Sequence, residues 1–292
     1  MSTTLTERAA LRSWGRRVAA SAVGVGLLLV LTGCSKSTTD QIKRLGLPPA
    51  ESDRSTYMST LWVGSWIATL AVGVLVWGLI AYAVVRFRRK SDDEVPKQVR
   101  YHLPIEMLYT VAPLIVVAVF FFFTVEKQDK IDAAVAHPDH RVLVTAQQWS
   151  WTFSYLGEKA TGGTDVYDAG TPAEEPVLWL VRDQSVTFYL HSADVIHSFW
   201  VPSFYFKMDV IPGRENRFSM TPTNLGTFDG RCAELCGYLH SEMLFNVHVA
   251  TQAQFNAHLR ALKAAGAIGA PKGPKSTDHV AGVVSGTEGS GG

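Results

Sequence analysis

Cysteine is scarce in this chain, with three in 292 residues. That excludes a small secreted domain held together by several disulfides. No Cys-x-x-Cys-His occurs either, so the chain carries no covalently attached c-type haem of its own. An excess of one charge is also missing: 27 Lys and Arg stand against 26 Asp and Glu, for a formal net charge of +1. A nucleic-acid partner is therefore not expected. No internal repeat is present. Hydrophobic residues are plentiful, at 47% of the chain, and their uneven distribution is informative for a length that allows one or two domains.

The first concentration is at the N-terminus. Arg8, Arg12, Arg16 and Arg17 precede an uncharged run from Val18 to Gly33, the positive start and short apolar middle of an export signal. The run ends at Leu31-Thr-Gly-Cys34, which looks like a bacterial lipoprotein cleavage box. Removal of residues 1–33 would leave a mature chain starting at Cys34 with a diacylglycerol on its sulfur, and would imply a bacterial source. A plain buried thiol in an uncleaved helix is the alternative.

Two further runs follow. Leu61 to Val85 contains no charge, and Ile105 to Val125 contains only Glu106. At about 1.5 Å per residue each can cross a hydrocarbon core of about 30 Å. The intervening loop, 86–104, holds Arg86, Arg88, Arg89, Lys90, Lys97 and Arg100. The positive-inside rule puts that loop in the cytoplasm, and residues 34–60 and 126 onward outside. A buried hairpin in a soluble protein is the alternative, but neither run alternates with a polar face.

From Arg141 the pattern changes to short runs rich in Val, Phe, Trp and Tyr between turn residues. Strands are predicted at 142–145, 149–155, 177–181, 185–190, 216–220, 226–229 and 245–249. Their close spacing predicts an all-β sandwich or small barrel over 126–265. Residues 157–176 read as an exposed loop and 252–265 as a closing helix. The segment 266–292, rich in Gly, Ser, Thr and Lys from Lys272 onward, reads as a disordered tail.

Inside this region lies Cys232-Ala-Glu-Leu-Cys236-Gly-Tyr-Leu-His240-Ser-Glu-Met243, with His197 upstream in Asp-Val-Ile-His-Ser. Two thiolates, two imidazoles and a thioether form a soft ligand set suited to copper. His197, Cys236, His240 and Met243 alone would make a mononuclear blue-copper site, leaving Cys232 over. Two sulfurs bridging two copper ions, each capped by one His, use every ligand, with Met243 and a backbone carbonyl near Glu234 as weak axial donors. A disulfide between Cys232 and Cys236 is an alternative, but explains neither His240, Met243 nor His197. Zinc is another, but Met243 is a poor zinc ligand.

These residues carry a resemblance. Cys-x-Glu-x-Cys-x-x-x-His-x-x-Met is similar to the CuA motif of cytochrome c oxidase subunit II. Gln148-Trp-Ser-Trp151 resembles that family's Gln-Trp-aromatic-Trp segment, with Ser150 departing from it. Asp194 to Pro202, continuing from Lys207 to Arg214, resembles the stretch with the first copper histidine, and Glu106 to Pro113 the start of its second membrane helix. The resemblance spans roughly residues 55–260.

The resemblance implies a two-helix transmembrane hairpin followed by an all-β cupredoxin-like sandwich, in a bacterial cell membrane with the copper domain on the periplasmic side. It implies a dinuclear copper A centre on His197, Cys232, the Glu234 carbonyl, Cys236, His240 and Met243. Electrons from cytochrome c would pass through it to haem in subunit I of an aa3-type or related oxidase, where oxygen is reduced to water with proton translocation. Subunits I and III would be partners. This chain would receive electrons and would not itself reduce oxygen.

By resemblance Trp149 is the port where electrons arrive, and Glu106 the mouth of a proton path. The Glu234 side chain would help hold magnesium shared with subunit I. Alternation along a strand would put Trp149 and Trp151 on one face. Asp194 and Asp209 are placed where charge can steer a basic donor. His102, His137, His140, His191, His248 and His258 lack ligand spacing and read as structural or exposed. The family's acidic docking surface is only weakly recognisable between residues 153 and 175, where Lys159 and several glycines intervene. A donor tethered in a larger respiratory assembly is thus as compatible as a soluble cytochrome c. Among rivals, a quinol oxidase subunit lacks these ligands, nitrous oxide reductase needs a second copper domain, and a copper delivery lipoprotein needs an open, exchangeable site.

Overall fold

A computed structural model describes residues 36–89, 91, 95 and 98–271. The export signal, Cys34 and the chain from residue 272 lie outside the described residues. The chain divides into two units, Met1–Pro48 and Pro49–Gly292. In the first, helix α1 (Lys36–Lys43) ends in a turn where Gly46 takes a φ of 86° and Arg44 Nε donates to the Leu47 carbonyl at 3.1 Å.

The second unit opens with helices α2 (Ser55–Arg86) and α3 (Leu103–Asp132), both long and apolar enough to cross a membrane. Each outruns its apolar stretch. The last turns of α3 hold Glu126, Lys127 and Lys130, whose unbranched side chains favour helix; Lys130 Nζ meets Glu126 Oε1 at 2.5 Å. The most apolar window of each helix is 0% buried, which is incompatible with a hairpin forming a soluble core. At the start of α3, His102 Nδ1 accepts from the Ile105 N–H at 3.4 Å, and the Glu106 carboxylate accepts from the His102 N–H at 2.7 Å. The Glu106 carboxylate thereby satisfies the otherwise orphaned His102 N–H, while the Ile105 N–H also reaches the His102 carbonyl at 3.0 Å.

The hairpin is fastened to the domain that follows. Ser52 and Ser55 hydroxyls both donate to the Phe204 carbonyl, at 3.1 and 3.0 Å, and the Glu51 N–H donates to Ser203 O at 2.9 Å. Asp53 exchanges bonds with Thr221, and the Arg54 guanidinium donates to the Lys130 and Ala133 carbonyls at the end of α3.

That domain is a sandwich of two five-stranded sheets. One has the order β3 (Val166–Ala169), β2 (Ser150–Tyr155), β1 (His140–Gln147), β5 (Val186–Ser192), β8 (Asn216–Met220). The other has the order β4 (Val177–Val181), β10 (Leu244–Ala250), β9 (Gly226–Cys232), β6 (His197–Val201), β7 (Phe206–Val210). β1 with β5 and β4 with β10 are parallel, and the remaining pairs antiparallel. Alternation in β2 sends Trp151, Phe153 and Tyr155 inward, all 0% exposed, against Phe245, Phe199 and Phe255. Burial of each such ring stabilises the fold by roughly 1.5–3 kcal/mol. Helix α4 (Gln252–Ala264), capped by a Thr251–Gln254 box, buries Phe255 and Leu259.

Three strands depart from the sequence expectation. Residues 157–176 are not simply a loop: they contain edge strand β3, paired with β2. β6 and β7 are new: His-Ser-Phe-Trp-Val hides the period of two in β6, whereas Phe-Lys-Met-Asp-Val in β7 alternates strictly and its period is readable. Residues 267 and 268, placed in the expected disordered tail, are ordered against β3: Ala267 O accepts from the Tyr167 N–H at 3.1 Å and Ile268 bridges Val166.

Candidate metal centre

Four segments converge at one end of the sandwich. His197 is the first residue of β6 and Cys232 the last of β9, so both stand on strand ends. Cys236 follows in the loop, His240 opens a short 3₁₀ turn (His240–Glu242), and Met243 closes it just before β10. The Cys232 N–H donates to the Met243 carbonyl, and the Ala233 N–H to the Ser198 carbonyl, both at 3.0 Å. These bonds bring the ends of β6 and β9 and the start of β10 together.

The donor atoms meet in sequence. Cys232 Sγ lies 3.9 Å from His197 Nδ1, 3.3 Å from the Glu234 carbonyl oxygen and 3.9 Å from Cys236 Sγ. Cys236 Sγ lies 3.6 Å from His240 Nδ1 and 3.8 Å from Met243 Sδ. His197, Cys232 and Cys236 form a compact trio whose ligand atoms all lie within 4.8 Å of one another. Both cysteines are free thiols. A sulfur separation of 3.9 Å is far beyond a disulfide bond, yet one ion can touch both. Two sulfurs, each with its own imidazole and its own weaker donor, fit a soft metal cluster, and the donor chemistry matches copper.

Electrostatics favour thiolate at Cys232 and the neutral thiol at Cys236. The hydrogen bond between the two sulfurs lowers the Cys232 pKa, against the effect of burial and with help from His197. The same shared proton and burial raise Cys236. Burial disfavours a charged His197, but its bonds to Asp194 and the Cys232 sulfur outweigh this and raise its pKa. Asp194 is itself partly buried, which favours the neutral acid, but bonds from His197 and the N–H groups of Gln148 and Val195 hold it below the usual carboxylate range. Because Asp194 Oδ1 meets His197 Nε2 at 2.8 Å, the imidazole presents Nδ1 to the sulfur cluster. This is the carboxylate–histidine arrangement that orients a metal ligand.

Trp149 lies in the turn between β1 and β2, before the alternation of β2 begins, and so does not share Trp151's environment. Trp149 is half-buried beside the ligand loop, whereas Trp151 is a core residue whose indole N–H donates to the Met243 carbonyl at 3.3 Å. Asp194, expected to steer a donor, is occupied in holding His197 and the Gln148 turn. Asp209 is exposed on β7, as is the Glu234 side chain. Glu106 is not part of this cluster, and its carboxylate caps α3. Sequence reasoning missed Gln148, Gly237 and the holding role of Asp194. Only the three-residue spacing of Asp194 from His197 hinted at the last.

Fold and site together define a hairpin-anchored β-sandwich with a buried cluster of soft metal donors. Residues 172–250 match the family described as "Cytochrome C oxidase subunit II, periplasmic domain". A probable cytochrome c oxidase subunit 2 of Streptomyces avermitilis is 43% identical, aligned over 90% of this chain and 93% of its own length. The cytochrome c oxidase subunit 2 of Mycobacterium bovis is 34% identical over 84% of this chain and 81% of its own length. The solved periplasmic domain of subunit II of cytochrome oxidase from Bradyrhizobium japonicum is 27% identical, covering 45% of this chain and 99% of that one, with a TM-score of 0.40. The chain belongs to the cytochrome c oxidase subunit 2 family.

Proposed function

We propose that this chain is the electron-receiving subunit of a membrane-bound cytochrome c oxidase, holding two copper ions between Cys232 and Cys236. The carrying observation is the paired geometry of the cluster: each sulfur contacts one histidine and one weaker donor, and the two sulfurs contact each other. Copper supplies one-electron redox chemistry there. The chain's own part is to fix the donors on two strand ends and the short loop between β9 and β10, so that little rearranges when the charge changes. His197, His240, Met243 and the Glu234 carbonyl would hold the copper together with the two sulfurs, in a setting where His197, Cys232, Cys236 and Met243 are buried.

In this reading Trp149 receives the electron from a cytochrome c, soluble or tethered, and the electron leaves toward haem in subunit I for oxygen reduction coupled to proton translocation. The loop 86–104 faces the cytoplasm and the sandwich the outer side, supported by the basic loop and two apolar helices. The exposed Glu234 carboxylate helps hold magnesium at the junction with subunit I. Glu106, at the cytoplasmic end of α3, stands at the mouth of a proton path. Cys34 carries the lipid anchor. Subunits I and III are the partners in the membrane.

The test is metal analysis with paramagnetic resonance of the complex purified from membranes. Two coppers per chain, and a hyperfine pattern from one electron shared equally by two nuclei, are expected. One copper with a single-nucleus pattern would reject the dinuclear assignment. A chain purified without any oxidase subunit would reject the assembly.

A further inference from the structure

The turn carrying Trp149 is fastened to both ligand-bearing segments. The Gln148 backbone N–H donates to Asp194 Oδ2 at 2.7 Å, while the other oxygen of that carboxylate holds His197 at 2.8 Å. From the same residue, side-chain Nε2 donates to the Cys236 carbonyl at 2.7 Å. The third fastening is a contact. Gly237 has a φ of 127°, and a Cβ there would lie 3.0 Å from Trp149 Cζ2, 3.1 Å from Trp149 Nε1 and 3.1 Å from Gln148 Nε2. The indole ring therefore rests on bare backbone immediately after Cys236. Its own N–H is shielded from solvent and has no hydrogen-bond acceptor among the described residues. Nothing on the indole orients it, so its placement depends on these neighbours.

We infer that Gln148 and Gly237 are positioning residues for electron transfer, holding the Trp149 ring in contact with the ligand loop so that only the backbone of residues 236 and 237 separates it from the Cys236 sulfur. This rests on the reading of Trp149 as the electron port. In the step one electron leaves a ferrous c-type haem, which becomes ferric, and reduces the oxidised centre. No proton moves and no bond forms or breaks. Transfer through touching and bonded atoms is efficient and weakens steeply when a gap opens along the path. Gln148 closes that gap by tying the turn to the carbonyl of a ligand residue. Gly237 closes it by having no side chain.

The test uses the assembled oxidase in native membranes with Gln148→Met, which keeps the size of the side chain, removes its donor and leaves the backbone bond to Asp194 in place. Copper content, the resonance spectrum and KM for reduced cytochrome c should match the parent. The rate of reduction of the centre at saturating donor should fall severalfold, because the path from the indole to the ligand loop lengthens. Gly237→Ala should slow the same step, and because Gln148→Met adds no bulk it remains decisive if alanine disturbs the loop. In a Trp149→Gln background Gln148→Met should add almost nothing, since coupled residues are not additive. An unchanged rate in Gln148→Met, or a changed spectrum or copper content, overturns the inference. Failure of the underlying reading looks different: Trp149→Gln itself would leave the rate unaltered.

Discussion

At the residue scale, the centre is asymmetric in what holds each sulfur. Both sulfurs touch each other and one histidine each, but the weaker donor beside Cys232 is the Glu234 carbonyl, whereas that beside Cys236 is the Met243 thioether. Cys232→Ser should therefore drive the site toward a single copper on the remaining donors. Cys236→Ser, which removes the sulfur common to either template, should weaken copper retention more broadly. Copper per chain after dialysis against a chelator separates the two, and equal loss in both variants would contradict the asymmetry. Asp194→Ala should lower copper affinity by about 10- to 100-fold, the usual effect of losing a group that orients a metal ligand. Chelator competition measures it, and an unchanged affinity would show that β6 alone orients His197.

The element scale explains which parts of this arrangement were readable in the sequence. The ligand string was legible because four soft donors in one spacing, with His197 upstream, have few chemical uses. The two helices were legible because membrane spans are uniformly apolar. β6 was not, because a strand that delivers a metal ligand mixes His and Ser into its pattern, whereas Phe-Lys-Met-Asp-Val in β7 keeps a strict alternation that was readable. Gln148 and Gly237 were illegible for a different reason: their roles arise from contacts between segments 88 residues apart in the case of Gln148 and Cys236. Gly230 shows the same dependence on partners. It pairs with Phe245 across β9 and β10, and a Cβ at Gly230 would overlap the Phe245 ring. Gly230→Ala should destabilise the sandwich by about 1–3 kcal/mol through overpacking, seen as a lower unfolding midpoint in denaturant. A midpoint equal to that of the parent would show that the ring has room to move.

For the molecule as a whole, two histidines outside the metal centre, His140 buried and His258 half-buried, set opposing pH limits on stability. His258 stacks on Trp179 at 4.4 Å and 10°, with His248 on the same indole at 4.3 Å, Tyr155 at 6.4 Å and the Asp168 carboxylate 3.9 Å from its Nε2. Burial, then the nearby His248, push its pKa from 6.5 down to about 4. The folded chain thus refuses a proton that the unfolded chain accepts, so this group's contribution is complete above pH 6.5 and is lost as pH falls toward about 4. His140 works the other way. Burial opposes its charge, but bonds to Glu158 at 2.9 Å and Gln184 at 2.7 Å prevail and raise its pKa above 6.5. Its contribution is complete below pH 6.5 and is lost as pH rises through the folded value. His258→Phe keeps a ring on Trp179 while removing the titration. Thermal unfolding of the detergent-solubilised chain should then lose less stability than the parent between pH 6.5 and about 4. Glu158→Gln should flatten the loss above pH 6.5 and leave the acid limb alone. Parallel curves for parent and His258→Phe across the acid range would mean that the imidazole takes up its proton in the folded sandwich as readily as in the unfolded chain.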